Sequence, residues 1–583
     1  MHYQAPLDDM QFLLTDVFQA EQQWQNMPAV AEMIDMDTAL AVLEEGAKIT
    51  GELIAPLNRP GDEQGVRLID GQVVTPDGYK AAFATFAEAG WVGFGGDPEF
   101  GGMGMPKMLG VLFDEMCYSA SNAFALYSSL TAGAALCIAS HGTEEQKALY
   151  LPKLYSGEWC GAMDMTEPQA GSDLRHVRTK AEPQEDGSYL VTGTKIFITG
   201  GDHDLSDNVV HLVLARLPDA PAGSRGLSLF IVPKRQSDEQ GNLTGANGVS
   251  CGSVEHKMGI TASATCVMHF DKAKGYLLGK LNRGLMAMFT MMNYERLSIG
   301  IQGLGCAQMG YQMAAAYAKE RKQGQKSGGL SQGIDPILVH GDVRRMLMTS
   351  ASITEAGRAL AVLTGLQLDR QKYQTEGAED ADALVGLLVP LCKAFFTDLG
   401  LECSVLNQQV FGGHGYIRET GVEQLVRDVR IAQIYEGTNG IQALDLLGRK
   451  VLPKQGEALR MLMADVEVTL GEAKARHPQW AEQVNQAFAE LVDAADLLRN
   501  SDQGADAVNC AANDYLHALG YATYGYLWLK MLNALDERDD EFAQRKHHLG
   551  AFYFARVFPR FATHIAAARS EAALITAMDE SLF

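Results

Sequence analysis

The chain has 583 residues, 47% of them apolar, and carries 72 acidic against 48 basic side chains for a formal charge of -24. That length exceeds one typical hydrophobic core, and the apolar content predicts several folded units and excludes a largely disordered chain. The negative charge opposes general affinity for nucleic acid, yet it leaves room for a local basic groove around an anionic cofactor.

The opening MHYQAPLDDMQF has neither the basic and apolar regions of a secretory signal nor the Arg-rich character of a transit peptide. No uninterrupted apolar run approaches the ~18 residues of a membrane span. These features predict a cytoplasmic protein without stable membrane insertion. The nine cysteines occur singly from Cys117 to Cys510 with no C-x-x-C pair. That spacing predicts small buried apolar residues in place of disulfides or structural zinc.

In chain order, residues 1–157 read as a helical domain. Phe12, Leu13 and Val17 make one apolar stripe, and a longer apolar pattern runs from Val111 to Ile138. The glycine-rich GWVGFGGDPEFGGMGMP, Gly90 to Pro106, follows no convincing strand and reads as a tight surface loop, not a phosphate cradle. Residues 158–280 change texture to short β-branched and aromatic runs, among them YLVTGTKIFIT, VVHLVLAR, GLSLFIVP and TCVMHF, which predict an inserted β domain.

Helical spacing returns over 281–453. Leu304, Ala307, Tyr311, Ala315 and Ala318 define one face, and Leu391, Phe395, Leu399, Cys403, Leu406 and Val410 another. Gly412 and Gly413 are placed to end the second helix, and Thr420 with Glu423 to form a capping box for the next. QGQKSGGLSQG, Gln323 to Gly333, reads as a flexible loop. Residues 454–583 stay helical and predict an additional helical domain. Within it, RKHHLGAFYFARVFPRF, Arg545 to Phe561, reads as a bundle helix whose cations snorkel, with a membrane-surface or nucleic-acid role as the alternative. His176, His203, His211 and His414 lack metal-ligand spacing and are expected to be ordinary histidines.

A lone acid, Glu436, lies in RIAQIYEGTNGIQ after the apolar Ile431, Ile434 and Tyr435 and before Gly437, Thr438, Asn439 and Gly440. Turn and cap formers of this kind predict a short connector before a helix that starts near Thr438 or Asn439. An acid there serves either as a helix cap or as a base whose proton affinity the apolar neighbours raise.

The order WVGFGGDPEFGGMG, MTEPQAGSD, KIFITGG, KMGI, NYER, ERKQG, QVFGGHGYIRE and YEGT, spread from about Met10 to Lys450, resembles the acyl-CoA dehydrogenase family of flavoproteins. The extended tail and the opening YQAPLDDMQF resemble its longer bacterial subgroup, which includes 3-(methylthio)propanoyl-CoA dehydrogenases. The resemblance implies a mainly α fold with an inserted β domain: an N-terminal helical domain, a middle β-barrel or sandwich, a C-terminal four-helix bundle, and the extra helical domain. It implies FAD as cofactor and α,β-dehydrogenation of an acyl-CoA to a trans-2-enoyl-CoA, with medium to long chains favoured and the methylthio substrate as alternative. Electrons would pass to an electron-transfer flavoprotein, an oxidase using dioxygen being a further option. A flavin-bearing DNA-binding stress protein is the alternative of another class, and the acidic charge and the intact Glu436 oppose it.

Residue by residue, the same resemblance makes Glu436 the base. A free carboxylate, with a pKa of about 4.3, is too weak a base for an α-proton without help from its surroundings. Glu295 of NYER fills the place from which some members take their base, so the chain holds two acids for one role, and Glu436 is preferred. Met165, Thr166, Ser172, Phe197 and Thr199 match flavin contacts, and Thr438 belongs to the same cofactor set. Arg321, Gln409, Gly412 and Gly413 match a surface that binds the FAD of a neighbouring subunit, which implies a homodimer or homotetramer. Asn293, Arg296 and Gly437 match substrate positions. The helix from Val111 to Ile138, bearing Phe124 and Tyr127 among small residues, would line the acyl pocket.

Overall fold

A computed structural model describes residues 3–326, 333–374, 377–535 and 538–583. Part of the predicted 323–333 loop, residues 327–332, lies outside them. The chain divides into two compact units. The first comprises Lys48–Met105 and Ala120–Ser298, and the second Tyr3–Ala47, Pro106–Ser119 and Ile299–Phe583.

The first unit is built on a seven-stranded sheet: β1 Trp159–Asp164, β2 Lys180–Pro183, β3 Tyr189–Thr199, β4 Asn208–Arg216, β5 Leu227–Pro233, β6 Val249–Val254 and β7 Thr265–Leu278. Its order is β6–β7–β3–β2–β4–β1, and β5 pairs with both β7 and β4. Through these two pairings β5 closes a ring of five strands, β7–β3–β2–β4–β5, with β6 attached at β7 and β1 at β4. Strands β4 and β5 are buried nearly throughout, in keeping with their Val, Leu and Ile runs.

Against β1 lies the helix Asn122–His141. Thr131 Oγ1 accepts from the Gly161 backbone N–H at 3.1 Å, and a Cβ at Gly161 would fall 2.4 Å from that of Ala134. The apolar pattern from Val111 to Ile138 is two helices, Lys107–Ala120 and Asn122–His141, because Ser121 stops the first and caps the second. Both bulky side chains of the helix expected to line the acyl pocket are buried. Phe124 packs among Tyr79, Phe83 and Phe86. The Tyr127 hydroxyl donates to Ala262 O at 3.1 Å and accepts from Ala264 N at 2.8 Å.

The 90–106 segment is not wholly a surface loop. Trp91, Val92, Gly93 and Phe94 are buried, and a Cβ at Gly102 would come within 2.1 Å of Gly96, so the two glycines let the turn fold onto itself.

The second unit is helical. Its long members are the end of Gly284–Glu320, then Gly341–Tyr373, Ala378–Val410, Glu457–Ala473, Pro478–Arg499 and Ala505–Asn533. Asn122–His141 and Ala378–Val410 are long and apolar enough to cross a membrane, but 72% and 83% of those windows are buried inside the protein, as core helices are. Helix Ala378–Val410 ends just before Gly412, which has φ +58°. No capping box follows: Gly421 precedes helix Val422–Arg430, the Thr420 hydroxyl donates back to His414 O and Ile417 O, and Glu423 pairs with Arg427.

The tail segment is a bundle element as expected, with Arg545 and Arg556 exposed, but its Lys546 is a buried cation and not a snorkelling one. Tyr553, Phe554, Val557, Phe558 and Phe561 face the core. Lys546 is fully buried, bonded to Asp9 and, at 2.7 Å, to Glu355, with the rings of Phe12, Trp528 and Phe542 within 6 Å. Arg358 joins the cluster through Asp9, Glu115 and Gln308. Charges taken out of water in this way demand matched partners. Lys546→Met leaves Asp9 and Glu355 without their shared cation and is expected to destabilise the protein by about 3–5 kcal/mol, read as a lower urea midpoint; an unchanged midpoint would refute this account.

Candidate active site

Helix Val422–Arg430 runs through a tight turn, Ile431–Gln433, into the connector that carries Glu436. Glu436 and Gly437 have φ of +54° and +82°, a left-handed pair that a Glu adopts only when its surroundings impose it. Those surroundings are specific. Lys393 Nζ donates to Gly437 O at 2.7 Å and to Asn439 Oδ1 at 2.8 Å. Gln442 Nε2 donates to Glu436 O at 3.1 Å, and the Tyr435 hydroxyl donates to Gln302 Oε1 at 2.5 Å. Thr438 O accepts from Ile441 N and Gln442 N, which begins helix Asn439–Asp445 where expected. A side chain on Gly437 would meet Gln442 Nε2 at 2.5 Å, which adds to the φ requirement for glycine.

The apolar wall expected around Glu436 is only partly present. Ile434 is 47% exposed, and Glu436 itself is half-buried. Glu295, the second acid, is fully buried in the first unit. Its Oε2 accepts from Ser129 Oγ at 3.1 Å, and its Oε1 sits where a Cβ on Gly133 would be, 2.5 Å away. The small residues of helix Asn122–His141 therefore admit this carboxylate. Nearby, Arg296 Nη1 donates to Asn293 Oδ1 at 3.3 Å, which joins those two predicted substrate residues.

Of the predicted flavin contacts of the first unit, Met165, Thr166, Phe197 and Thr199 lie on two segments joined by hydrogen bonds. Thr166 O accepts from Ile196 N at 2.9 Å and Met165 O from Lys195 Nζ at 3.0 Å, which stitches the 165–167 loop to β3. Lys195 and Glu167 form a buried ion pair at 2.9 Å. Glu167 also accepts from Arg178 N, Thr179 N and Thr179 Oγ1. Burial disfavours its charge, but Lys195 and these donors outweigh that and hold its pKa at about 2.

Opposite Val267 of β7, strand β3 bulges: the register steps from Lys195 to Ile198 against Met268 to Cys266. Phe197 stands on the bulge with φ +59°, 60% exposed. An aromatic ring held out of the core by a strained backbone, with the half-buried Thr166 and Thr199 in the same two segments, fits a flat ring system bearing hydrogen-bond acceptors. Ser172 is exposed in the turn that follows the Glu167–Ala170 bridge.

Arg321, Gln409, Gly412 and Gly413 are all exposed on the second unit. They lie where the ends of Gly284–Glu320 and Ala378–Val410 meet: Tyr317 stacks on Phe411 at 4.2 Å and bonds His414 Nδ1 at 2.8 Å. Sequence reasoning missed the residues that hold these groups. Lys393 was the most visible signal, a lone cation in the apolar LLVPLCKAFF; Lys195 and Glu167 were hidden inside motifs noted for their neighbours.

A β unit with a supported aromatic and hydroxyl patch, and a helical unit with an acid on a strained connector, define a flavin-dependent oxidoreductase. The N-terminal, middle and C-terminal domain models of acyl-CoA dehydrogenases match residues 69–158, 162–273 and 282–452, and a model described as acetyl-CoA dehydrogenase C-terminal like matches 462–579. The 3-methylmercaptopropionyl-CoA dehydrogenase of Ruegeria pomeroyi is 45% identical over 94% of each chain. A butyryl-CoA dehydrogenase of Syntrophomonas wolfei is 34% identical, covering 94% of this chain and 95% of its own. The acyl-CoA dehydrogenase of Bacillus anthracis solved with FAD superposes with a TM-score of 0.75 at 22% identity, over 94% of this chain and 90% of that one. The chain belongs to the acyl-CoA dehydrogenase family, with FAD as cofactor and an acyl-CoA as substrate.

Lys195→Met strands the Glu167 charge and frees the 165–167 loop from β3. The purified variant is expected to carry less flavin per chain than the wild type, measured by visible absorbance after gel filtration, and full retention would overturn the support assigned to this pair.

Proposed function

We propose that the protein oxidises 3-(methylthio)propanoyl-CoA, a short thioether acyl group, in place of the medium to long chains that the motifs favour. The observation that carries this is the 45% identity, over 94% of both chains, to a relative named for that acyl group. The butyryl-CoA relative likewise argues for a short acyl chain.

In the proposed reaction Glu436 takes the α-proton, the Cα–H and Cβ–H bonds break, and a trans Cα=Cβ bond forms. FAD, when bound, supplies the acceptor for the β-hydride. The protein's own part is to fix the carboxylate. The Lys393 and Gln442 bonds to the carbonyls of Gly437 and Glu436 hold the connector in its left-handed turn, which lowers the backbone ordering left to do when substrate arrives. Glu295 keeps a structural place beneath Ser129. Arg296 and Asn293 are proposed to contact substrate. Arg321, Gln409, Gly412 and Gly413 are proposed to serve FAD bound by a second copy in a homodimer or homotetramer. An electron-transfer flavoprotein is the proposed electron acceptor and the cytoplasm the proposed compartment.

Anaerobic mixing with 3-(methylthio)propanoyl-CoA is expected to bleach the flavin band faster than butyryl-CoA or octanoyl-CoA; faster bleaching by octanoyl-CoA would overturn the substrate proposal. Glu436→Gln is expected to slow bleaching by about 10²–10⁴-fold, the usual contribution of a general base, while Glu295→Gln keeps most of the rate. The reverse pattern would move the base to Glu295.

A further inference from the structure

The connector that carries Glu436 is held from behind by a chain of contacts that ends in the appended helical domain. Asn439, three residues after Glu436, donates through Nδ2 to Asp398 Oδ1 at 2.7 Å, and Gln433, three residues before it, donates to the same oxygen at 2.6 Å. One carboxylate thus clamps both flanks of the connector. Its other oxygen, Oδ2, meets His517 Nε2 at 3.0 Å. His517 lies on helix Ala505–Asn533, inside the region that the fourth domain model matches.

The approach of that helix is built for this contact. Gly520, one turn after His517, lies against the Phe395 ring so closely that a Cβ would come within 2.6 Å. Phe395 fills the hole among His517, Gly520, Tyr521 and Tyr524. On its far side the His517 ring stacks on His564 at 4.9 Å, and His564 Nδ1 is bonded to Asp514 Oδ1 at 2.8 Å. Burial opposes ionisation of Asp398, but the bonds from His517, Gln433 and Asn439 outweigh it and hold its carboxyl below the usual range. An ionised Asp398 only accepts, so Nε2 of His517 carries the proton and donates.

We propose that His517 is a positioning residue for the reaction: through Asp398 it fixes the Gln433 and Asn439 flanks of the connector, and the appended domain thereby sets the place of the Glu436 carboxylate. This rests on Glu436 being the base. A misplacement on the order of 1 Å by a residue remote from the chemistry can cost about 10²-fold in rate.

The test uses the FAD-loaded full-length protein and the bleaching rate with 3-(methylthio)propanoyl-CoA. His517→Ala is expected to lower the bleaching rate by up to about 10²-fold, with substrate Kd and flavin content little changed. His517→Gln keeps an N–H donor and is expected to restore most of the rate. Because the two side chains act in series, His517→Ala combined with Asp398→Ala should be no slower than Asp398→Ala alone. Arg569→Ala, which breaks the Arg569–Glu490 pair inside the same domain, is expected to lower Tm without slowing bleaching.

A wild-type rate in His517→Ala, no rescue by His517→Gln, additive losses in the double variant, or equal slowing by Arg569→Ala would each overturn the proposal. If His517→Ala does not fold, His517→Gln carries the test: it must stay close to wild type while Asp398→Ala is slow. Undiminished bleaching by Glu436→Gln would instead sink the assignment of the base, which separates the two failures.

Discussion

Arg358 is 1% exposed, and a guanidinium in that position has to be matched on every side. Asp9 reaches it from the start of the chain, Glu115 from the helix Lys107–Ala120, and Gln308 from Gly284–Glu320. Asp9 in turn bonds Lys546 of the appended domain, which also takes Glu355. Burial works against the Asp9 charge, but Lys546 and Arg358 outweigh it and hold the carboxyl below its usual range. Five segments far apart in sequence are thus joined by one set of buried charges and the Gln308 amide, and an error in any of them removes a partner from a buried ion. Such a cluster contributes little net stability against a well-packed apolar substitute, but it penalises every other packing of the helices. The second unit, with the connector of Glu436 in it, is assembled around that constraint.

Each unit has a candidate functional side chain on non-glycine backbone in the left-handed region, Phe197 on a β-bulge in the first and Glu436 on the connector in the second. Each is held by a buried lysine or by a neighbour of one: Lys195 ties the loop beside Phe197, and Lys393 ties the carbonyl after Glu436. At the connector the lysine acts on the strained backbone itself. A lysine with a long stem and a compact head crosses an apolar layer and fixes a backbone carbonyl in a turn the backbone would not otherwise keep. The strain then places one functional side chain where regular structure cannot put it.

The appended domain takes on a meaning in this light. Its helix Ala505–Asn533 packs across Ala378–Val410 through Phe395 and Gly520, and its Trp528 Nε1 donates to Ser352 O at 3.2 Å. It therefore shares a core with the bundle that carries the connector and is not a separate module on a linker. The basic, aromatic stretch that could have met a membrane or nucleic acid in isolation is spent on that shared core, with Arg545 paired to Glu355 and Arg560 to Glu402.

The sequence by itself determined whatever is written over a short span. The strands are legible in their β-branched runs, the helix after Thr438 in its turn residues, and the family in the order of its motifs. The glutamate in YEGT and the aromatic in KIFIT are likewise visible without coordinates. Tertiary structure alone decided that Phe197 and Glu436 lie in left-handed backbone, that Phe124 and Tyr127 are buried, that Lys546 is buried among exposed arginines of the same segment, and that Asp398 joins Gln433, Asn439 and His517. The reason is physical. Periodicity reports which face of an element is apolar, but not which distant residue covers it: Lys393 lies 44 positions from the Gly437 carbonyl it fixes, His517 119 from Asp398 and Lys546 537 from Asp9.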